Sequence, residues 1–175
     1  MRRLMLLRHA KAETATAGQR DLDRVLAQRG REVAPQMGRY MGEHGLAPER
    51  ALVSTAKRTR ETWELVASAL VKKPPADFEE RIYEAPAKAI LSAVQSTNNG
   101  VHTLLVVGHN PGIQQLATLL VTSGDSTARH SLAEKFPTAA LAVIDFDVDR
   151  WSDVKASTGR LDRFVTPRSL SIDID

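Results

Sequence analysis

Two pairs of residues in this sequence could do chemistry together, and each pair directly follows a short apolar run. Arg8 and His9 follow the run LMLL, and Gly108 and His109 follow the run LLVV. A guanidinium can hold a phosphoryl group through two parallel hydrogen bonds, and a neutral imidazole, with an ordinary pKa of about 6.5, can attack it. The residue types therefore indicate phosphoryl chemistry, with its parts drawn from distant regions of the chain.

The elements that must position these residues are two strands of a parallel sheet. An unbroken apolar run without alternation is typical of a strand covered by helices on both faces. The carboxyl ends of such strands form the edge at which ligands bind, so we expect His9 and His109 to leave the same edge. Asn110 is a good helix N-cap and Pro111 a good first helical residue, so a helix should aim its free N–H groups at the same place. We therefore predict that Asn110 helps to bind phosphate.

A third segment, which runs from a strand into a helix, brings another cation toward this edge. The segment ALVSTAKRTRET, residues 51–62, is typical of a short strand followed by a helix. Ser54 or Thr55 can cap the helix, and Arg58 then falls in its first turn, close to the strand ends. Together, Arg8 and Arg58 predict a pair of guanidinium groups around one phosphoryl group.

The order of these motifs resembles that of the histidine phosphatase superfamily, also called phosphoglycerate mutase-like. Three motifs carry the resemblance, each at the end of a strand: Arg8-His9, Ser54-x-x-x-Arg58-x-x-x-Thr62 and Gly108-His109. Within the superfamily, the RHAKA start, the GHNPG segment and the compact length are most similar to the SixA-type phosphohistidine phosphatases. The sequence has Ala10 where the superfamily motif has glycine, and we expect this to change the backbone freedom only slightly.

The resemblance implies a role for each residue of the site. His9 would be the nucleophile that forms a phosphohistidine, which water then hydrolyses, and His109 would be a protonated second imidazole that donates to the phosphoryl oxygens. Two nearby arginines make a doubly cationic histidine pair costly, which favours a neutral His9. Glu84 lies where related enzymes carry a general acid, although a solvated carboxylate at a helix start explains it equally well. Glu13 is a weaker alternative, and His109 could suffice if the leaving group is itself an imidazole.

We therefore expect a phosphatase that works through a covalent phosphohistidine and removes phosphate from phosphohistidine on a protein. A phosphoglycerate mutase-like enzyme or a small-molecule phosphatase on the same fold, acting on a small phosphomonoester, is the first alternative. A noncatalytic phosphate-binding module is the second, and it would need the arginines but not two histidines. A metallohydrolase is disfavoured, because the sequence has no HExxH or H-x-H pair and the arginines would repel a dication. We expect no cofactor and no metal.

The composition fits one domain over residues 1–175, since 42% of the residues are hydrophobic and the chain is too short for two ordinary domains. Its formal net charge is only +3, and Lys and Arg are scattered along the sequence, so nucleic acid is not an expected partner. The absence of cysteine excludes disulfides and thiolate catalysis and fits a cytoplasmic location. No apolar run is long enough to predict a membrane span.

Apolar runs alternate with helical patterns along the chain, which predicts an α/β fold: a three-layer α/β/α sandwich with a mostly parallel central sheet. Residues 11–24 are expected to form a loop over the mouth of the site, and the acidic residues 171–175 a frayed tail. Pro35 indicates that the first helix begins near residue 31 or 32, so that the proline falls in its first turn. The other helices are expected over 57–71, over 86–96, from 113 to a glycine at 124 and within 125–136. The strands are expected over 4–7, from 51, over 78–83, from 102, over 139–146 and over either 151–158 or 163–166.

Overall fold

A seven-stranded sheet organises the fold of residues 1–170, which are the residues that this computed structural model describes. The tail predicted for residues 171–175 lies outside them. Across the sheet the strands follow the order β3-β2-β4-β1-β6-β7-β5, and only β6 runs antiparallel to its neighbours. The predicted mostly parallel sheet is therefore confirmed. The strands are β1 (Arg2–Arg8), β2 (Arg50–Ser54), β3 (Ala76–Glu79), β4 (Thr103–Gly108), β5 (Val121–Gly124), β6 (Leu141–Phe146) and β7 (Gly159–Val165).

Helices cover both faces of this sheet. Within residues 1–170 the α-helices are α1 (Gln28–Glu43), α2 (Lys57–Ser68), α3 (Ala87–Gln95), α4 (Gly112–Leu120) and α5 (Ser126–Glu134). In β1, Leu4 and Leu6 pack with α3, α4 and α5 on one face, and Met5 and Leu7 pack with α1 and α2 on the other. All four side chains are completely buried, which explains the unbroken apolar run and confirms the predicted three layers. No helix in this part of the chain combines the length and the apolar character needed to cross a bilayer.

The first helix begins at Gln28, earlier than predicted, and Pro35 lies inside it. A proline in a helix interior removes a hydrogen bond and crowds the preceding turn, at a cost of about 3 kcal/mol. The buried face of α1 offsets this cost by packing on the sheet through Met37 and Met41. Gly38 brings α1 close to α2, because a Cβ at this position would lie 2.4 Å from a carbonyl oxygen of that helix. Tertiary packing therefore outweighs the local signal of the proline.

The structure differs from the prediction in the strands β5, β7 and β3. Gly124 ends β5 rather than the preceding helix, and β5 has no counterpart in the prediction. Glycine is required there, because its φ is +116° and a Cβ would lie 2.4 Å from the carbonyl oxygen of Leu161 in β7. β7 lies between β6 and β5, so it is not the predicted edge strand. β3 is an edge strand but stops at Glu79, after which residues 80–82 form a 3₁₀ turn.

Candidate active site

The register between β1 and β4 brings two histidines side by side. Arg8 at the end of β1 pairs with Gly108 at the end of β4, and the N–H of His9 donates to the carbonyl oxygen of Gly108 at 3.1 Å. His9 and His109 are the next residues of the two strands, so both leave the carboxyl edge of the sheet. Their ring centroids are 5.5 Å apart, close enough for both rings to contact one phosphoryl group.

The ring of His9 is held in the tautomer that a nucleophile needs. Its Nδ1 lies 2.7 Å from the carbonyl oxygen of Ala10 and must donate, because a carbonyl oxygen only accepts. The lone pair is then on Nε2. The N–H of Ala10 donates to Oγ1 of Thr62 at 3.0 Å, and this hydroxyl donates to the carbonyl oxygen of Arg58 at 2.7 Å. Thr62 therefore anchors the backbone segment that orients the His9 ring.

Burial keeps His9 neutral. Only 8% of the residue is exposed. This burial lowers the pKa of His9 to about 4, against the opposing hydrogen bond to Ala10, and the charges of Arg58 and Arg8 lower it further. Near about pH 7 the ring is therefore an uncharged imidazole with a free lone pair.

His109 is also buried, and its protonation beside a phosphoryl group, which the resemblance implied, stays a prediction. Its Nδ1 lies 3.2 Å from Nη2 of Arg58, so a permanent positive charge lies directly against the ring. Burial lowers the pKa of His109 to about 3, and the charge of Arg58 acts in the same direction. A phosphate dianion beside the ring would raise this pKa, because an opposite charge favours the cationic form.

Ser54 contacts His109 rather than capping the next helix. Its Oγ lies 2.7 Å from Nε2 of His109, and the residue is completely buried at the end of β2. β2 pairs with β4, which brings this side chain beside the ring. The residue before α2 is Ala56, which makes no side-chain cap, so the predicted cap from Ser54 or Thr55 is wrong. The serine of the second motif instead fixes the orientation of the second imidazole.

Arg58, in the first turn of α2, is the centre of a buried charge network. Its side chain is 2% exposed. Nη1 donates to the carbonyl oxygen of Asp21 at 2.9 Å, and Nη2 donates to the carboxylate of Asp21 at 3.0 Å and to that of Glu84 at 2.7 Å. The same oxygen of Glu84 lies 3.4 Å from Nδ1 of His109. The structure therefore brings the predicted general acid next to the predicted second imidazole.

Sequence reasoning missed two residues of this network, Asp21 and Tyr83. Asp21 lies in a short 3₁₀ helix, residues 21–23, within the segment expected to cover the site, and its carboxylate accepts from the hydroxyl of Tyr83. Burial would raise the pKa of Asp21, but hydrogen bonds from Tyr83, Arg24 and Arg58 hold it well below its usual range. The Tyr83 ring also meets the ring of His109 edge-on, with centroids 5.5 Å apart. The one sequence signal that could have identified Tyr83 is its place beside Glu84. Asp21 has no such signal, because it is one of several charged residues in its loop.

Arg8 and Asn110 share one backbone acceptor. Nη1 of Arg8 donates to the carbonyl oxygen of Phe136 at 2.9 Å, and the amide nitrogen of Asn110 donates to the same oxygen at 3.1 Å. The side-chain oxygen of Asn110 accepts from the N–H of Gln114 at 3.2 Å, so it satisfies a free N–H of α4, whose first residue is Gly112 rather than Pro111. The part of Asn110 in phosphate binding stays a prediction.

Two buried donors at the site have no protein partner. The Nε atoms of Arg8 and Arg58 are buried and have no hydrogen-bond acceptor among residues 1–170. A buried donor without an acceptor costs about 1–3 kcal/mol. An anion rich in oxygen atoms, such as phosphate, would therefore be stabilised by these two guanidinium groups.

The remaining histidines lie apart from this site. Nδ1 of His44 contacts the carbonyl oxygen of Tyr40 at 2.9 Å, at the end of α1, and the side chains of His102 and His130 are 61% and 82% exposed. In the part of the chain that the structure describes, no three His, Cys, Asp or Glu side chains are grouped so that they could hold a metal ion.

Comparison with known proteins identifies the family. The family model described as the histidine phosphatase superfamily (branch 1) matches residues 4–86. An uncharacterised protein of Mycobacterium tuberculosis is 34% identical over 164 residues, which cover 93% of this chain and 100% of that protein. The chain belongs to the histidine phosphatase superfamily, and the resemblance seen in its three motifs is confirmed.

Two solved structures are similar to this chain over almost its whole length, and both are provisionally described as the phosphohistidine phosphatase SixA. The one from Agrobacterium tumefaciens is 29% identical with a TM-score of 0.80, and the match covers 95% of this chain and 98% of that one. The one from Nakamurella multipartitia is 28% identical with a TM-score of 0.83, and the match covers 95% and 96%. The chain is therefore similar to SixA-type proteins in both sequence and fold.

Proposed function

We propose that this chain is a phosphohistidine phosphatase that removes phosphate from histidine on a protein, through a covalent phosphohistidine at His9. The observation that carries the proposal is the orientation of the His9 ring. Its Nδ1–H donates to the carbonyl oxygen of Ala10, so the lone pair is on Nε2. The positive charges of Arg8 and Arg58 lie close enough to lower the pKa of the same ring. The likeness to two proteins described as SixA supports a phosphohistidine substrate.

In the first step, Nε2 of His9 attacks the phosphorus, and the bond between phosphorus and the leaving nitrogen breaks. Negative charge spreads over the phosphoryl oxygens in the transition state, and Arg8 and Arg58 are the cations that stabilise it. His109 adds a third positive charge once the bound dianion has raised its pKa. In the second step water attacks the phosphohistidine, inorganic phosphate leaves, and Nε2 regains its lone pair.

Glu84 is the better of the two carboxylates at the site for the proton transfers. Asp21 stays ionised, because its hydrogen bonds hold its pKa well below the usual range, so it has no proton to donate. The side chain of Glu84 is 45% exposed and its oxygen lies 3.4 Å from Nδ1 of His109. Because this carboxylate is open to solvent, Glu84 can take up a proton from water and donate it to the leaving nitrogen in the first step, and it can accept the proton of the attacking water in the second. When the leaving group is an imidazole, His109 is an alternative donor.

Trapping the intermediate tests the proposal. After the protein is mixed with a histidine-phosphorylated protein in EDTA and quenched in alkali, residue 9 should carry a phosphate that is stable to alkali and labile to acid. His9→Ala should carry no phosphate and should lose turnover. The matched control is His102→Ala, an exposed histidine that precedes β4 at the opposite edge of the sheet, which should keep both.

Each alternative predicts a different result in the same experiment. Full turnover by His9→Ala would contradict the covalent mechanism, and loss of turnover in EDTA would favour a metallohydrolase. Phosphate binding without turnover or labelling would favour a noncatalytic module. Faster hydrolysis of p-nitrophenyl phosphate than of phosphohistidine peptides would favour a small-molecule phosphatase on the same fold.

A further inference from the structure

A cavity of about 410 Å³ beside the candidate active site is lined by four basic side chains. The charged residues that line it are Lys11, Arg29, Lys135 and Arg168, and no carboxylate of residues 1–170 lines it. None of the four forms an ion pair with another residue in this part of the chain. The formal net charge of the whole chain is only +3, so this basic cavity concentrates more positive charge than the chain has in excess.

The walls of the basic cavity come from separate elements that are packed tightly together. Gly30 lets α1 lie directly on the segment after β1, because a Cβ at this position would lie 2.2 Å from the carbonyl oxygen of Lys11. The same oxygen accepts from the N–H of Ala27 at 2.9 Å. The packing therefore holds the backbone of Arg29 near that of Lys11, so that both cations line the same cavity.

The floor of the basic cavity is apolar. Val33 and Ala139 are buried in it and Pro137 and Pro167 are half-buried, and the other uncharged residues that line the cavity are Thr138 and Thr166. This floor, together with three exposed cations and the half-buried Arg29, fits Asp and Glu side chains set among apolar residues, because the carboxylates can pair with the cations while carbon atoms cover the floor. A free phosphate ion would gain nothing from such a floor.

The basic cavity and the candidate active site share one segment of backbone. The N–H of Ala139, which lines the cavity, contacts the carbonyl oxygens of Arg8 and His9, each at 3.1 Å. The carbonyl oxygen of Phe136, one residue before the lining residue Pro137, accepts from Arg8. A protein that presents a phosphorylated side chain to His9 would therefore lie next to this cavity.

We propose that the basic cavity docks an acidic surface segment of the phosphorylated protein substrate. The inference rests on the proposed function and names a surface of the substrate beyond the phosphohistidine. Opposite charges speed encounter and favour one orientation, so docking here would add both rate and selectivity. A larger cavity of about 650 Å³ beside α2 would not select for an acidic segment, because both acidic and basic residues line it. They are Asp23, Arg31, Lys57, Arg60, Glu61 and Glu64.

The test uses two synthetic phosphohistidine peptides, one with Asp and Glu around the phosphohistidine and one with Asn and Gln at the same positions. The cavity variant carries Arg29→Gln, Lys135→Gln and Arg168→Gln, and leaves Lys11 in place because it is close to His9. The control variant removes the same total charge from exposed, unpaired cations elsewhere in residues 1–170, through Arg39→Gln, Lys72→Gln and Arg160→Gln. Turnover of p-nitrophenyl phosphate should be unchanged in both variants.

At low salt the wild-type chain should prefer the acidic peptide in kcat/KM by about tenfold, a size expected for several exposed ion pairs acting together. The cavity variant should lose most of this preference, and the control variant should keep it. Equal preference in the cavity variant and the wild-type chain would overturn the assignment. Competition would also overturn it: inorganic pyrophosphate or duplex DNA would have to displace the acidic peptide at a lower concentration than a second acidic peptide needs.

Binding of the unphosphorylated acidic peptide, followed by fluorescence anisotropy, separates this inference from the proposed function. If no phosphohistidine peptide is turned over, the proposed function fails, yet the wild-type chain should still bind the acidic peptide more tightly than the cavity variant does. If the phosphohistidine peptides are turned over but the acidic peptide binds equally to the wild-type chain and the cavity variant, the proposed function stands and the docking site is wrong.

Discussion

Acidification is the perturbation that best separates a buried His9 from an ordinary histidine. Burial lowers the pKa of His9 to about 4, so lowering the pH from about 8 to about 5 should leave its ring uncharged. At about pH 5, a group with this pKa is about nine-tenths neutral, whereas an imidazole with a pKa of about 6.5 is neutral in only about one molecule in thirty. The nucleophilic form should therefore be about thirty times more abundant than in an exposed histidine.

The same shift makes the folded state less stable in acid. Between about pH 6.5 and about pH 4 the unfolded chain binds a proton at this residue and the folded chain does not, so stability falls as the pH drops through that window. At about 1.4 kcal/mol for each unit of pKa, the loss reaches at most about 3 kcal/mol for His9. Circular dichroism must therefore show that the chain is still folded wherever its activity is measured.

Nitrogen NMR of protein labelled in its histidines provides the assay. Long-range spectra report both the pKa of each ring and the nitrogen that carries its proton, and His9→Gln assigns the signal. We expect His9 to carry its proton on Nδ1 from about pH 8 down to about pH 5 and to become charged only near about pH 4. The kcat/KM for a phosphohistidine peptide should stay nearly constant over the same range, apart from the ionisation of the peptide itself.

Two results would refute this reasoning. A His9 signal that titrates near about pH 6.5 would mean that the ring is open to water, and the neutral nucleophile would not be due to burial. A proton on Nε2 instead of Nδ1 would mean that the contact with Ala10 does not set the tautomer. Either result would remove the observation on which the proposed mechanism depends.

Two further predictions concern α2. Arg58→Ala should lower kcat/KM by about a hundredfold to a thousandfold in steady-state assays, as expected for the loss of a donor to developing charge. The control is Arg60→Ala, which removes an exposed arginine from the same helix and should leave kcat/KM close to the wild-type value. Equal losses in the two variants would exclude a specific role for Arg58. Thr62→Val leaves the N–H of Ala10 buried without an acceptor, so urea titration should show a free energy of unfolding lower by about 1–3 kcal/mol, and Thr62→Ser should recover most of it. Unchanged stability in Thr62→Val would mean that this hydroxyl does not anchor the segment after β1.

The central strands could be predicted from the sequence because they obey a simple rule. β1 and β4 are apolar without alternation, and both faces of each are buried by helices. Their first polar residues mark the carboxyl edge of the sheet, which is why His9 and His109 could be expected to lie together. The strand-to-helix pattern of residues 51–62 adds Arg58 to the same edge, and the family resemblance adds Glu84.

The parts that failed depend on contacts between distant segments. Pro35 indicates a helix start by local rules, but packing against the sheet and α2 carries the helix through it. β5 is short and its pattern is mostly exposed, so it has no apolar signature of its own. Asp21 joins the site only because its loop folds over α2 and meets Arg58, and nothing in the spacing of loop charges predicts which of them will do so.

The pairing of Arg8 with Gly108 also sets where the chain can change in length. Deleting one residue within β1 would move His9 along the strand by about 3.3 Å and turn its ring to the opposite face of the sheet, away from His109. Deleting one residue in the exposed turn at 98–100 leaves both strand ends in register, since β1 and β4 pair through their own hydrogen bonds. Insertions and deletions compatible with catalysis should therefore be confined to the turns, and the stretch between each strand start and its histidine should keep a constant length.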